Sequence, residues 1–367
     1  MKVVLDTNII VADFNLKKPG FKILLEGAKS GMLEVYLPQV VLDEVFNKFR
    51  QRLEKAQSSI ASELLSIAKI IENEFLSPFN DELIDRLLTE YRNRLMKIIS
   101  DNQINVLDYP TTDHRFLAKK AMLTKKPFNV NETGYRDSLI WENVKSLITE
   151  INENVIATPE LIFITNNHTD FMSGDVLHID LMNELEEQEL HTDSFIIYKS
   201  LQEFNDKVAK LFLTQEDVFK GRLKNNEFWD FELKDIITEY LNKEYVRSDL
   251  SAFEFHRPGD DIGEEQEVSS FLEDYEIKNL TVKKLNFDEF VVDLRIDLET
   301  ELEFFVDKSD YYSSRDADYS VIDYDWNDHV MYVSRTDTIP FEVTLIVNSK
   351  LECLSIEMNK LDEIPAS

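Results

Sequence analysis

The chain has 367 residues, 43% hydrophobic and 11% aromatic, with a formal net charge of −31. That length suits two or three domains of roughly 100–200 residues, and an apolar share of this size can fill real cores, which excludes wholesale disorder. No apolar run reaches the roughly 20 residues that cross a bilayer, and the single Cys353 excludes an intramolecular disulfide or a thiolate zinc cluster. The first residues lack a signal-peptide stretch, so a cytoplasmic protein with no membrane partner is expected.

Val3–Leu5 is a short apolar run that ends in Asp6-Thr7-Asn8, the pattern of a buried strand opening into a turn. Phe21–Lys29 has helical spacing and stops at Ser30-Gly31. Leu33–Leu37 reads as a strand, and Gln39–Arg52 resumes helical periodicity after Pro38. Helical spacing continues from Ala56 to Ile99, interrupted around Ser77-Pro78-Phe79-Asn80. A short strand at Ile104–Leu107, a helix at Arg115–Thr124 and a helix at Asp137–Ile151 follow. Leu161–Thr165 is a continuous apolar run of the kind found in central parallel strands; a helix at Leu177–Leu190 and a strand at Phe195–Tyr198 come next. Strands alternating with helices predict a parallel sheet covered on both faces.

Residues 205–255 read as a helical connector and 256–268 as a linker. Beyond it the apolar period becomes two: Phe290, Val292, Leu294, Ile296 and Leu298, continued by Leu302, Phe304 and Val306. Signals at Tyr319–Asp325, Met331–Val333 and Phe341–Val347 complete a β-rich module over 269–367, expected as a sandwich or partial barrel. Strand spacing would put Asp323 and Asp325 on one face, near Asp328 and His329; a solvated face is the expected reading of that run.

Charge divides the chain in the same way. Residues 1–150 hold 21 Lys+Arg and 21 Asp+Glu, leaving 19 and 50 for residues 151–367. A strongly acidic surface repels phosphate, so the second half suits solubility or a protein partner or inhibitor. The neutral half carries two basic clusters, Lys48, Arg50, Arg52 and Lys55, then Lys119, Lys120, Lys125 and Lys126. Either could be a solvated helix face or a phosphate-binding surface.

Hydrolysis of phosphodiesters by divalent metals needs carboxylates that converge from several elements, because hard oxygen donors hold Mg²⁺ or Mn²⁺. In an open α/β sheet they converge at the carboxyl ends of the strands. Four acids stand at such places: Asp6 after the first strand, Glu44 early in the helix after Pro38, Asp137 at the start of its helix, and Asp170 after the strand ending at Thr165. Each alone has an ordinary reading, since an Asp after a strand commonly caps a helix.

Four segments in order resemble the motifs of the PIN domain family. Leu5-Asp6-Thr7-Asn8 is similar to its opening, and Val40-Val41-Leu42-Asp43-Glu44-Val45 to its second motif. Gly134-Tyr135-Arg136-Asp137-Ser138-Leu139-Ile140-Trp141 resembles the third motif of a bacterial PIN-like branch, and Thr165-Asn166-Asn167-His168-Thr169-Asp170-Phe171 the fourth. The resemblance covers residues 1–204 and implies a three-layer α/β/α parallel sheet, with a helical insertion about 53–130. It implies Asp6, Glu44, Asp137 and Asp170 as catalytic metal ligands for Mg²⁺ or Mn²⁺, supported by Thr7, Asn8 and Asn167, the last standing where many members carry Asp. Arg136, Arg50, Arg52, Lys119, Lys120, Lys125 and Lys126 would contact the substrate. The implied activity is an endoribonuclease, with a toxin, stress or phage-defence role and room for a homo-oligomer. Two alternatives stand beside it: an inactive PIN scaffold that binds RNA or protein, and a DNA nuclease of the flap-endonuclease-like branch.

Overall fold

The computed structural model describes residues 1–71, 79–130, 133–153, 161–190, 195–224, 232–244, 267–271, 275, 277–309 and 320–360. The chain divides into two compact units, residues 1–212 and 213–367. No helix among the described residues is long and apolar enough to cross a membrane.

The first unit opens with β1 (Lys2–Leu5) and runs through α1 (Thr7–Ala12), α2 (Pro19–Lys29), β2 (Glu34–Pro38), α3 (Gln39–Ile71), α4 (Asp81–Asp101) and β3 (Asn105–Leu107). It continues with α5 (His114–Met122), α6 (Tyr135–Glu153), β4 (Leu161–Ile164), α7 (His168–Phe171), a small hairpin of β5 (Met172–Ser173) and β6 (Val176–Leu177), α8 (Ile179–Glu187), β7 (Phe195–Tyr198) and α9 (Leu201–Lys207). A single 3₁₀ turn, Ala209–Phe212, closes it.

Strands β3-β2-β1-β4-β7 form one sheet, and every neighbouring pair is parallel. Val3, Val4, Leu161, Ile162, Phe163 and Ile164 are fully buried, as expected of central strands covered by helices on both faces. This is the α/β architecture with flanking helices that the alternation predicts. The order reverses direction at β1, whose neighbours are β2 on one side and β4 on the other. The carboxyl ends of β1 and β4 therefore flank the topological switch point, where open α/β sheets form their crevice.

The helical insertion is a hairpin. α3 is one helix of 33 residues, roughly 50 Å long at 1.5 Å per residue, and α4 returns along it. Arg50 pairs with Asp85 at 2.5 Å, Gln57 donates to Asp81 at 3.0 Å, and Phe49 stacks on Tyr91 at 4.1 Å between centroids. Phe14 and Phe46 pack edge-on against the same Tyr91 ring. α9 packs against α2, and Asn205 donates to the Gly20 carbonyl at 3.0 Å.

The second unit holds β8 (Thr214–Gln215), α10 (Asp217–Lys224), α11 (Glu232–Glu244), β9 (Glu267–Phe271), β10 (Ile277–Lys284), β11 (Glu289–Asp307), β12 (Ser320–Asp323), β13 (Val330–Asn348) and β14 (Cys353–Lys360). β11 and β13 pair along their full 19 residues, from Glu289↔Asn348 to Asp307↔Val330. β10 and β14 flank this ribbon at one end, β9 and β12 at the other, in one antiparallel sheet.

The separate all-β sheet is therefore present, but as a single ribbon-based sheet rather than a sandwich or barrel. The segment 205–255, expected as a connector, behaves differently in its described part. Phe219, Leu223, Leu233, Ile237 and Leu241 of α10 and α11 are buried against Val292, Leu294, Ile296, Phe341 and Val343 of the sheet. Their helical stripe is a core face, so these helices join the second unit. The linker expected over 256–268 lies outside the described residues, apart from Glu267 and Val268, which begin β9. Asp325 is not on a strand with Asp323: β12 ends at Asp323, whose carboxylate accepts from the Asp325 amide at 2.9 Å to start a turn.

Candidate active site

Asp6 sits where β1 ends and caps α1. Its amide donates to the Ile164 carbonyl at 3.0 Å, one carboxylate oxygen accepts from the Thr7 amide at 2.6 Å, and the other from the Thr165 hydroxyl at 2.5 Å. Thr165 is fully buried at the end of β4 and also accepts from the Asn167 amide at 2.9 Å. It locks the two strand ends across the switch point. Thr165 is a site residue that the motif contains but that its apolar context disguises as the last residue of a strand.

Glu44 lies two turns into α3 and accepts from the Thr7 hydroxyl at 3.0 Å. Asn8 accepts from the Asn166 amide at 3.2 Å. Asp170 accepts from the Asn167 side-chain amide at 2.9 Å. Asp137 stands in the first turn of α6. Asp6, Thr7, Asn8, Glu44, Asp137 and Asn167 line one cleft of about 710 Å³; Asp170 is not part of its lining.

Burial and neighbouring charge both act on these acids. The Asp6 carboxyl is pushed up to about 7, chiefly by burial, with the charges of Asp137 and Glu44 adding to it against the Thr165 and Thr7 hydrogen bonds. Asp137 is raised too, by burial first and then by the charges of Asp170 and Glu44. Like charges buried together without a counterion are unfavourable. Two side chains act as counterions here: Arg136 pairs with Glu44, and Lys126 with Asp170 at 2.8 Å. As they stand, no three acidic, histidine or cysteine side chains among the described residues gather closely enough to hold a metal ion. The chemistry of the donor set still fits a hard divalent cation: carboxylate oxygens, two of them raised by burial first and neighbouring charge second, with backbone-anchored Thr and Asn beside them.

The basic residues sort differently from their clusters in sequence. Lys48, Arg52 and Lys55 line the cleft with Gln51. They follow Glu44 at helical spacing, one face of α3 running roughly 16 Å from the acids. Arg50 points elsewhere, to Asp85 and Glu54. Lys120 is not available to a substrate: it is 5% exposed and pairs with Glu184 at 2.6 Å, beside Lys145. A helix turned inward found a carboxylate 64 residues away. Lys119 and Lys125 are exposed but do not line the cleft. Of that cluster, Lys126 alone reaches a quartet acid.

Gly134 fixes the approach to Asp137. Its φ is +110°, and a Cβ there would meet the Pro127 carbonyl oxygen at 2.3 Å and Phe128 Cα at 2.9 Å. Gly134→Ala is expected to cost about 2 kcal/mol or more, since positive φ and a backbone clash add. Thermal unfolding should show it as a lower melting temperature, and an unchanged melting temperature would mean that α6 can shift freely.

Acidic side chains stand at the switch point of an open parallel sheet, beside a basic cleft wall. Residues 3–171 match the family model of the PIN domain. The match ends at Phe171, and no family model covers the second unit. No curated protein and no solved structure matches the chain.

Proposed function

We propose that the first unit is a divalent-metal-dependent endonuclease that cuts RNA. One observation carries the reading: Asp6, Glu44 and Asp137, from distant parts of the chain, line one cleft whose wall continues as the Lys48–Arg52–Lys55 ridge, and Asp170 is tied to its Asn167 lining by a hydrogen bond. Asp6, Glu44, Asp137 and Asp170 would hold the metal, with Thr7, Asn8, Thr165 and Asn167 fixing their orientation. Bound there, Mg²⁺ or Mn²⁺ supplies Lewis-acid stabilisation of phosphoryl charge and makes water a stronger nucleophile.

The rest is the work of the chain's own groups. Arg136 and Lys126 hold Glu44 and Asp170 while the carboxylates lack another cation. Released from them, both would face the cleft as phosphate-binding charges. The α3 ridge suits one strand of backbone, laid along a helix face rather than clasped by two walls.

The test is a cleavage panel: purified full-length protein with labelled single-stranded RNA, single-stranded DNA and duplex DNA, each with Mn²⁺ or EDTA. Shortened RNA in Mn²⁺ alone supports the reading, and preferential cutting of flap or duplex DNA would replace it with the DNA-nuclease alternative. Binding gives a second check. Lys48→Glu with Arg52→Glu and Lys55→Glu is expected to weaken RNA affinity and flatten its salt dependence, each lost phosphate contact removing about 0.7 from the slope. The same change at Lys119 and Lys125 should leave the slope nearly as it was.

A further inference from the structure

The second unit carries a surface for which the cleavage chemistry has no use. At the β9–β12 end of the β11–β13 ribbon, the two faces differ. One buries Leu302, Phe304, Met331 and Val333 in a core. On the other, Phe305 stands opposite Tyr332 in the strand register. Trp326, from the turn after β12, closes on both rings. Centroids lie 5.0 Å apart for Phe305–Tyr332, 5.1 Å for Phe305–Trp326 and 5.6 Å for Trp326–Tyr332. Trp326 is 55% exposed. Three rings gathered on the solvent side of a sheet form an apolar patch of the sort that marks a contact surface.

The rim of this platform is acidic. Glu303 accepts from the Tyr332 hydroxyl, and Asp323 stands opposite Tyr332 in the β12–β13 register. Asp307 ends β11 two pairs beyond Phe305, and Asp325 precedes Trp326 in the turn. Lys308 is held at this edge, 4.5 Å from the Tyr324 ring and 3.9 Å from Asp325. Ring faces attract cations, and a guanidinium can lie flat on an indole while its N–H groups reach carboxylates. Phosphate would meet repulsion from the same rim.

We infer that the Phe305–Tyr332–Trp326 platform docks an arginine-rich segment of a protein partner. The segment's guanidinium groups stack on the exposed Trp326 face and pair with the Glu303, Asp323 and Asp325 carboxylates. This reading is independent of the cleavage chemistry of the first unit.

The test measures fluorescence anisotropy of a short labelled oligo-arginine peptide titrated with the full-length protein, beside oligo-lysine of equal charge and oligo-uridylate. Because the whole protein is acidic, a cationic peptide will meet a general attraction, so the decisive variants change no charge. Trp326→Ala is expected to weaken oligo-arginine binding roughly tenfold with an unchanged melting temperature, since the side chain is half exposed. Trp326→Phe should keep most of the affinity, and oligo-lysine should bind the wild type more weakly than oligo-arginine. Equal oligo-arginine affinity in wild type and Trp326→Ala overturns the proposal, leaving only the general field. So does a Trp326→Phe variant that loses the peptide as fully as Trp326→Ala. Oligo-uridylate binding that depends on Trp326 would make nucleic acid the occupant and overturn it equally.

Discussion

Asp6→Asn is expected to lower metal-dependent cleavage by at least about 100-fold, beyond the 10- to 100-fold typical of residues that only orient ligands. The fold should survive, because the substitution keeps the shape of a side chain that is 3% exposed. The metal-free wild type should also show a pH signature. An unfolded chain loses the Asp6 proton near 3.8, whereas the folded chain holds it to about 7, chiefly through burial. A raised carboxyl lends stability at acid pH that drains away as pH climbs from about 4 to 7. The shift corresponds to a cost of up to roughly 4 kcal/mol at full ionisation. Asp6→Asn should flatten this slope and leave the melting temperature above pH 7 in EDTA unchanged or higher. Calorimetry across the pH range reads it directly. An unfolded variant would make Asp6 structural, and a folded one cutting at the wild-type rate would remove it from the mechanism.

A chain cut at residue 255 is expected to be insoluble, while one cut at 212 stays soluble and keeps metal-dependent cleavage. The longer fragment retains α10 and α11 without the sheet that covers Phe219, Leu223, Leu233, Ile237 and Leu241. Each such side chain contributes roughly 1.5–3 kcal/mol when buried, so exposing five removes an amount comparable with the roughly 5–15 kcal/mol that stabilises a whole domain. The shorter fragment ends where the first compact unit ends. Expression and sedimentation of the two fragments check this; a soluble 1–255 with an aggregated 1–212 would place the boundary beyond α11.

Local pattern made the parallel sheet legible. Apolar runs such as Leu161–Ile164 followed by polar turns are short-range signals, and the strand–helix alternation constrains the topology. What stayed hidden depends on distant partners. Lys120 looks like its exposed neighbour Lys119 until Glu184 arrives from α8. The stripe on α10 and α11 reads as a connector because its partner strands lie 50 to 130 residues downstream. β13 splits in a sequence reading because Thr336-Asp337-Thr338 and Pro340 interrupt the apolar alternation, yet it pairs unbroken with β11. At the site, motif and spacing mark the four acids. The clamp of Thr165 on Asp6 and the counterions Arg136 and Lys126 are three-dimensional facts.

The central claim is that the quartet collects a divalent cation, and calorimetric titration of the metal-free, full-length protein with Mn²⁺ tests it most directly. The account predicts saturable binding near pH 6.5, with proton release from Asp6 that shows as a dependence of the heat on buffer ionisation. It predicts that Asp6→Asn and Asp137→Asn, each still folded, lose that binding, and that Lys126→Met, which frees Asp170, tightens it. Absence of Mn²⁺ binding to the wild type, or binding that both variants retain, would contradict the account; Arg136–Glu44 and Lys126–Asp170 would then be permanent ion pairs of an inactive scaffold.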